Sequence, residues 1–168
     1  RHLQDRYHVE NRCVFVDSRY DTDEVAKQCR APIDQQDSRP WNMTMGEESA
    51  GYFVKIRNRR YRRVYSDYVS GRSMQGIPYR FIKFSNLLAK NRLAALMGTD
   101  GFGIPVDISR HYAAQMQSEK KVEVQPGKWR WEPVKKSHPN NHLWDAEVLQ
   151  VVAACIFKVL DATTQTED

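Results

Sequence analysis

The sequence has 168 residues, which fits one ordinary domain over 1–168 and excludes two large ones. Hydrophobic residues make up 40% and aromatics 11%, enough for a core. No run approaches the roughly 18 to 20 apolar residues of a membrane span, and none follows the basic amino end as in a signal peptide.

The net charge of +5 is concentrated: residues 55–72 hold seven Lys or Arg against one Asp, a local +6, and the remainder is close to −1. The chain reads as soluble and unexported, with no membrane partner. Three cysteines, Cys13, Cys29 and Cys155, cannot all pair within the chain, and their apolar or helical surroundings favour buried free thiols in a reducing compartment. An opening Arg in place of Met is what a fragment or processed piece would show.

In chain order, RCVFVDS (12–18) predicts a short strand buried on both faces and ending at Asp17, where α/β sheets place ligand and catalytic groups. DTDEVAKQC follows as a helix, with Asp21 as its cap and Glu24 three residues on. From Ala31 to Met45 the sequence is polar and reads as a connection. YFVKIR (52–57), YRRVYS (61–66) and YRFIKF (79–84) predict three strands, the first two a ribbon around an Asn-Arg-Arg turn.

Ser85 or Asn86 caps a helix over LLAKNRLAALMG, with Gly98 as a left-handed stop. SRHYAAQMQSE is a second helical piece, with Glu119 at its end. Residues 122–133 predict a hairpin with Val122, Val124, Trp129 and Trp131 on one face. The last element, 143–160, is a helix that is apolar nearly all round and capped by Asn140 or Asn141, and the tail over 163–168 is expected to fray.

Several chemistries lack their signatures. There is no phosphate-binding GxxxxGK[ST] loop and no GxGxxG after a strand, and no Cys and His spacing suits zinc; His138 and His142 read as a turn and cap pair. Two acids stand in unusual places: Asp17 closes an apolar strand, and Asp145 opens an apolar helix. Each has a plain alternative, an Asx-type cap for Asp17 and helix-dipole stabilisation for Asp145. Brought together, the two would repel unless a cation lay between them, and hard carboxylate oxygens select Mg²⁺ or Mn²⁺. The basic ribbon, interleaved with Tyr61, Tyr65 and Tyr68, has the charge expected of phosphate-backbone contact through Lys55, Arg57, Arg59, Arg60, Arg62, Arg63 and Arg72.

The order VFVDSRYDTDEVAKQC, the basic ribbon, FIKFSNLLAKNRLAALMG, HYAAQMQSEKKVEV and KWRWEPVKKSHPNNHLWDAEVLQVVAA resembles the carboxyl-terminal nuclease domain of phage terminase large subunits of the lambda-like GpA type. Asp17, Lys90, Tyr112 with Glu119, Trp129 or Trp131, and Asn141 with Asp145 stand at the matching positions. The resemblance implies an α/β, RNase H-like mixed sheet flanked by helices, with the basic ribbon added to it. It also implies metal-dependent cutting of concatemeric double-stranded viral DNA in the host cytoplasm, with two Mg²⁺ or Mn²⁺ ions on Asp17, Asp145 and Glu119.

Lys90 would contact DNA phosphate, Asn141 and His142 would orient the acids, and the terminase small subunit and portal would be partners. Nucleases of this fold carry their first acid on the first strand. The resemblance puts Asp17 on a later one, so that first acid would precede Arg1; complete terminases also carry an ATPase motor before this domain, and the chain reads as either a fragment or a diverged remnant. The alternative is a non-catalytic DNA-binding or docking module of the packaging motor.

Overall fold

A computed structural model describes residues 2–30, 40–74, 76–135, 140–161 and 163–165. In chain order the elements are α1 (His2–Arg6), β1 (Phe15–Asp17), α2 (Thr22–Arg30), β2 (Asn42–Glu47), β3 (Tyr52–Ile56), β4 (Arg59–Arg63), β5 (Tyr65–Arg72) and β6 (Pro78–Ser85). They continue as α3 (Asn86–Met97), α4 (Arg110–Met116), β7 (Glu119–Gln125), β8 (Lys128–Pro133), α5 (His142–Ile156) and β9 (Thr163–Gln165). Most of the expected connection over Ala31 to Met45, and His138, lie outside the described residues.

The central sheet has the order β1-β2-β6-β5, with β1, β2 and β6 parallel and β5 antiparallel to β6. This mixed sheet flanked by helices is consistent with an RNase H-like fold. Strand residues alternate between faces, so β6 feeds two cores. Phe81 joins Met43 beneath Ala26 and Cys29 of α2. Phe84 joins Leu93 of α3 and Trp144, Val148, Val152 and Cys155 of α5 on the other side. No described helix is long and apolar enough to cross a membrane.

Several expectations are corrected. Strand β2 lies partly inside the segment read as a connection. NMTMGE has little strand composition, but Thr44 is fully buried between β1 and β6 and donates its hydroxyl to the Val16 carbonyl at 3.0 Å. β1 is an edge strand rather than one buried on both faces, and Asp17 at its end is exposed. Cys13 is exposed as well, whereas Cys29 and Cys155 are buried free thiols.

The predicted strand over 61–66 is divided between β4 and β5. The ribbon turns at Arg57-Asn58, both left-handed (φ 47° and 66°), the two-residue turn whose twist matches a hairpin. Gly98 closes α3 with φ −86° and is not left-handed. α5 ends at Ile156, and the chain turns through Lys158 with φ 60°. In the tail, 163–165 does not fray but pairs with β4 as β9. Val122 pairs with Arg130 while Trp131 pairs with Lys121, so the valines and tryptophans of the β7-β8 hairpin occupy opposite faces.

Candidate active site

Ser85 caps α3 by accepting the Leu88 N–H at 3.3 Å, which sets Lys90 one turn into the helix beside the fully buried Ala89 and Leu93. The Lys90 side chain is only 11% exposed. An ammonium taken out of water needs an opposite charge, and Glu119, 4% exposed, supplies it: Lys90 Nζ donates to Glu119 Oε1 at 2.8 Å and Oε2 at 2.7 Å. The expectation that Glu119 ends the second helical piece is corrected. The acid opens β7 after α4 has ended, and its ion pair is buried.

Asn141 precedes α5 but makes no side-chain cap; its Nδ2 donates to Glu119 Oε1 at 2.7 Å. The cap comes instead from Gln115 of α4, whose Oε1 accepts the Leu143 N–H at 2.7 Å. Gln115 escaped the sequence reading because it is 28 residues away and its neighbours give no capping pattern. His142 is exposed at the first residue of α5.

Asp145 lies in the first turn of α5 with its side chain about half exposed and Oδ1 3.4 Å from Lys90 Nζ. Burial pushes its pKa up. Lys90 opposes that rise, while the negative charges of Glu119 and Asp17 add to it. Asp17 stands at the carboxyl end of β1, against which α5 packs, and Phe15 meets Phe157 edge-on at 5.9 Å. Its Oδ1 accepts the Arg19 N–H at 3.1 Å, the Asx turn weighed as the plain alternative. Asp17 and Asp145 are 128 positions apart in the chain, and the contact of α5 with β1 brings the elements that carry them together.

Glu119 and Lys90 adjoin Asp145, but both Glu119 oxygens are occupied by Lys90 and Asn141. Among the described residues no three His, Cys, Asp or Glu side chains form a group able to hold a metal ion. Asp17 and Asp145 carry hard carboxylate oxygens, the donor type Mg²⁺ takes, commonly from one or two carboxylates with the rest of its shell water.

The cations of 55–72 do not form one patch. Lys55, Arg57, Arg59 and Arg60 are exposed on the β3-β4 ribbon, where Arg60 lies 3.7 Å over the Phe53 ring. Arg62 is half-buried, with its Nε shut away from solvent. Arg63 is held inward by the Tyr65 carbonyl at 2.6 Å and by Asp67 at 2.7 Å. Arg72 ends β5, away from the ribbon.

A family model described as terminase large subunit gpA, endonuclease domain, matches residues 1–165. No curated protein and no solved structure matches the chain.

Proposed function

The chain belongs to the family of terminase large subunit gpA endonuclease domains, and from that membership we propose that Asp17 and Asp145 are its metal-binding catalytic pair, acting on double-stranded DNA during viral genome packaging. The observation that carries this reading is the placement of Asp145 in the first turn of α5, beside the buried Lys90–Glu119 pair, with α5 packed against the strand that ends at Asp17. Two carboxylates brought near one another repel, and a proton or a cation relieves that repulsion.

Mg²⁺ or Mn²⁺ held by Asp17 and Asp145 would supply a water of lowered pKa for attack on a phosphodiester. Lys90 steadies the ionised form of Asp145. Glu119, with Asn141, holds Lys90 in place rather than acting as a ligand. The exposed ribbon cations Lys55, Arg57, Arg59 and Arg60 would hold the DNA backbone. The described acids suffice for one ion, and a two-ion scheme needs carboxylates beyond them. The terminase small subunit and portal remain proposed partners on family grounds.

The test is nicking of supercoiled plasmid with Mn²⁺, comparing the parent chain with Asp17→Ala and Asp145→Ala. Loss of cutting in both variants with DNA binding retained is expected. Undiminished cutting in both would remove the assignment. A second reading, a non-catalytic DNA-binding or docking module, is favoured by the lack of a three-ligand group among the described residues. It would prevail if the parent chain bound DNA without cutting it.

A further inference from the structure

We propose that the chain carries a second nucleic-acid contact, a groove for an unpaired strand, at the amino-terminal end of its parallel strands. A cavity of about 880 Å³ opens there, and Arg12, Arg30, Arg72 and Arg80 line it. Among the described residues of its wall there is no Asp or Glu. The wall wraps the end of the sheet, with Arg30 on the α2 side and Arg72 and Arg80 on the other face, and guanidinium groups without an acid beside them suit a polyanion.

Two of these arginines are engaged elsewhere. Arg12 pairs with Glu10 at 2.6 Å, and Arg30 donates to the Pro78 carbonyl at 3.2 Å. Arg72 and Arg80 carry the argument. Both are exposed, and among the described residues neither has an acidic partner. Register places them on one face: Tyr68 is opposite Ile82, Ser70 opposite Arg80 and Arg72 opposite Pro78. Ile82 in turn is opposite Thr44, and Thr44 opposite Asp17, so the arginines share a sheet face with the proposed metal ligand. Strand rise and spacing put the Cα of Arg72 about 20 Å from that of Asp17, so the groove is a separate contact on the same side of the molecule.

The ligand class follows from Tyr68. The residue is 50% exposed, its hydroxyl donates to Asn42 Oδ1 at 3.1 Å, and the Arg80 guanidinium lies 4.6 Å from the ring centroid. That couples a fixed aromatic plane to a phosphate-binding group. Paired bases are stacked within a duplex and cannot use such a plane; unpaired bases can. The groove does not depend on the assignment of Asp17 and Asp145.

The experiment is fluorescence anisotropy of a labelled 12-nucleotide oligo(dT) and of a duplex of equal length, titrated with the chain at several salt concentrations. Arg72→Ala with Arg80→Ala is expected to weaken oligo(dT) binding and to flatten the log–log salt slope by about 1.4, or about 0.7 for each lost phosphate contact on a single strand. Tyr68→Ala is expected to weaken it about tenfold with the slope unchanged. Arg72→Lys with Arg80→Lys keeps the slope and so separates lost charge from lost fold. Asp17→Ala leaves oligo(dT) binding intact even if it abolishes cutting. An unchanged slope in the double Ala variant, no oligo(dT) binding by the parent, or equal losses for oligo(dT) and duplex would each overturn the proposal.

Discussion

Asp145 combines a half-exposed side chain with a pKa pushed up by burial and by the charges of Glu119 and Asp17. A carboxyl whose pKa is higher in the folded state gives the folded protein more bound protons than the unfolded chain at intermediate pH. Its contribution to stability is therefore full below the ordinary carboxylate range and is lost as pH rises through the raised value. Asp145→Asn removes that loss, so at neutral pH its melting temperature is expected to equal or exceed the parent's. The gap should close below about pH 4, where the unfolded carboxyl is protonated. Calorimetric melts across this range check it; a variant less stable at neutral pH would show that the Lys90 ion pair outweighs burial. Asp17 and Asp145 stand out in the sequence as candidates because each is an acid in an apolar element. The burial of Lys90 and Glu119 was not legible there, since EKK and a lysine on a helix look the same in sequence whether solvated or packed.

At the level of elements, the strong helices were readable, and so were those helix starts that a neighbouring residue caps. Asp21 accepts the Glu24 N–H at 3.0 Å and Ser85 caps α3, both as their spacing implied, because these contacts are local. α5 has the expected apolar face, yet Asn141 is diverted to Glu119 and the cap is a long-range one from Gln115. Gln115→Ala is expected to lower stability by about 1 kcal/mol, the usual cost of a lost helix cap. Asn141→Ala should leave the cap intact and impair cutting through Glu119 and Lys90. Denaturant unfolding beside plasmid nicking separates the two; an uncapped, destabilised Asn141→Ala protein with normal cutting would contradict this division of roles. β2 was missed because Thr44 is a strand residue by virtue of its two neighbours, not its own segment.

For the whole molecule, the distribution of charge decides how DNA is held. Changing Lys55, Arg57 and Arg59 together to Ala should flatten the salt slope of duplex binding by up to about 2.7, or about 0.9 per phosphate contact. Arg63→Ala should leave it unchanged, because Arg63 is committed to Asp67. Binding measured from low to moderate salt checks both, and an equal effect of Arg63→Ala would mean that the inward arginines also face DNA. The amount and sign of charge, the strand ending at Asp17, the apolar last helix and the family resemblance were determined by the sequence alone, since each is a property of composition or of neighbours a few residues apart. The tertiary structure decided which cations remain exposed, which acid pairs with Lys90, what caps α5, and that the helix carrying Asp145 packs against the strand ending at Asp17. These depend on contacts between residues tens of positions apart, and such contacts exist only after the sheet has paired and the helices have packed on its two faces.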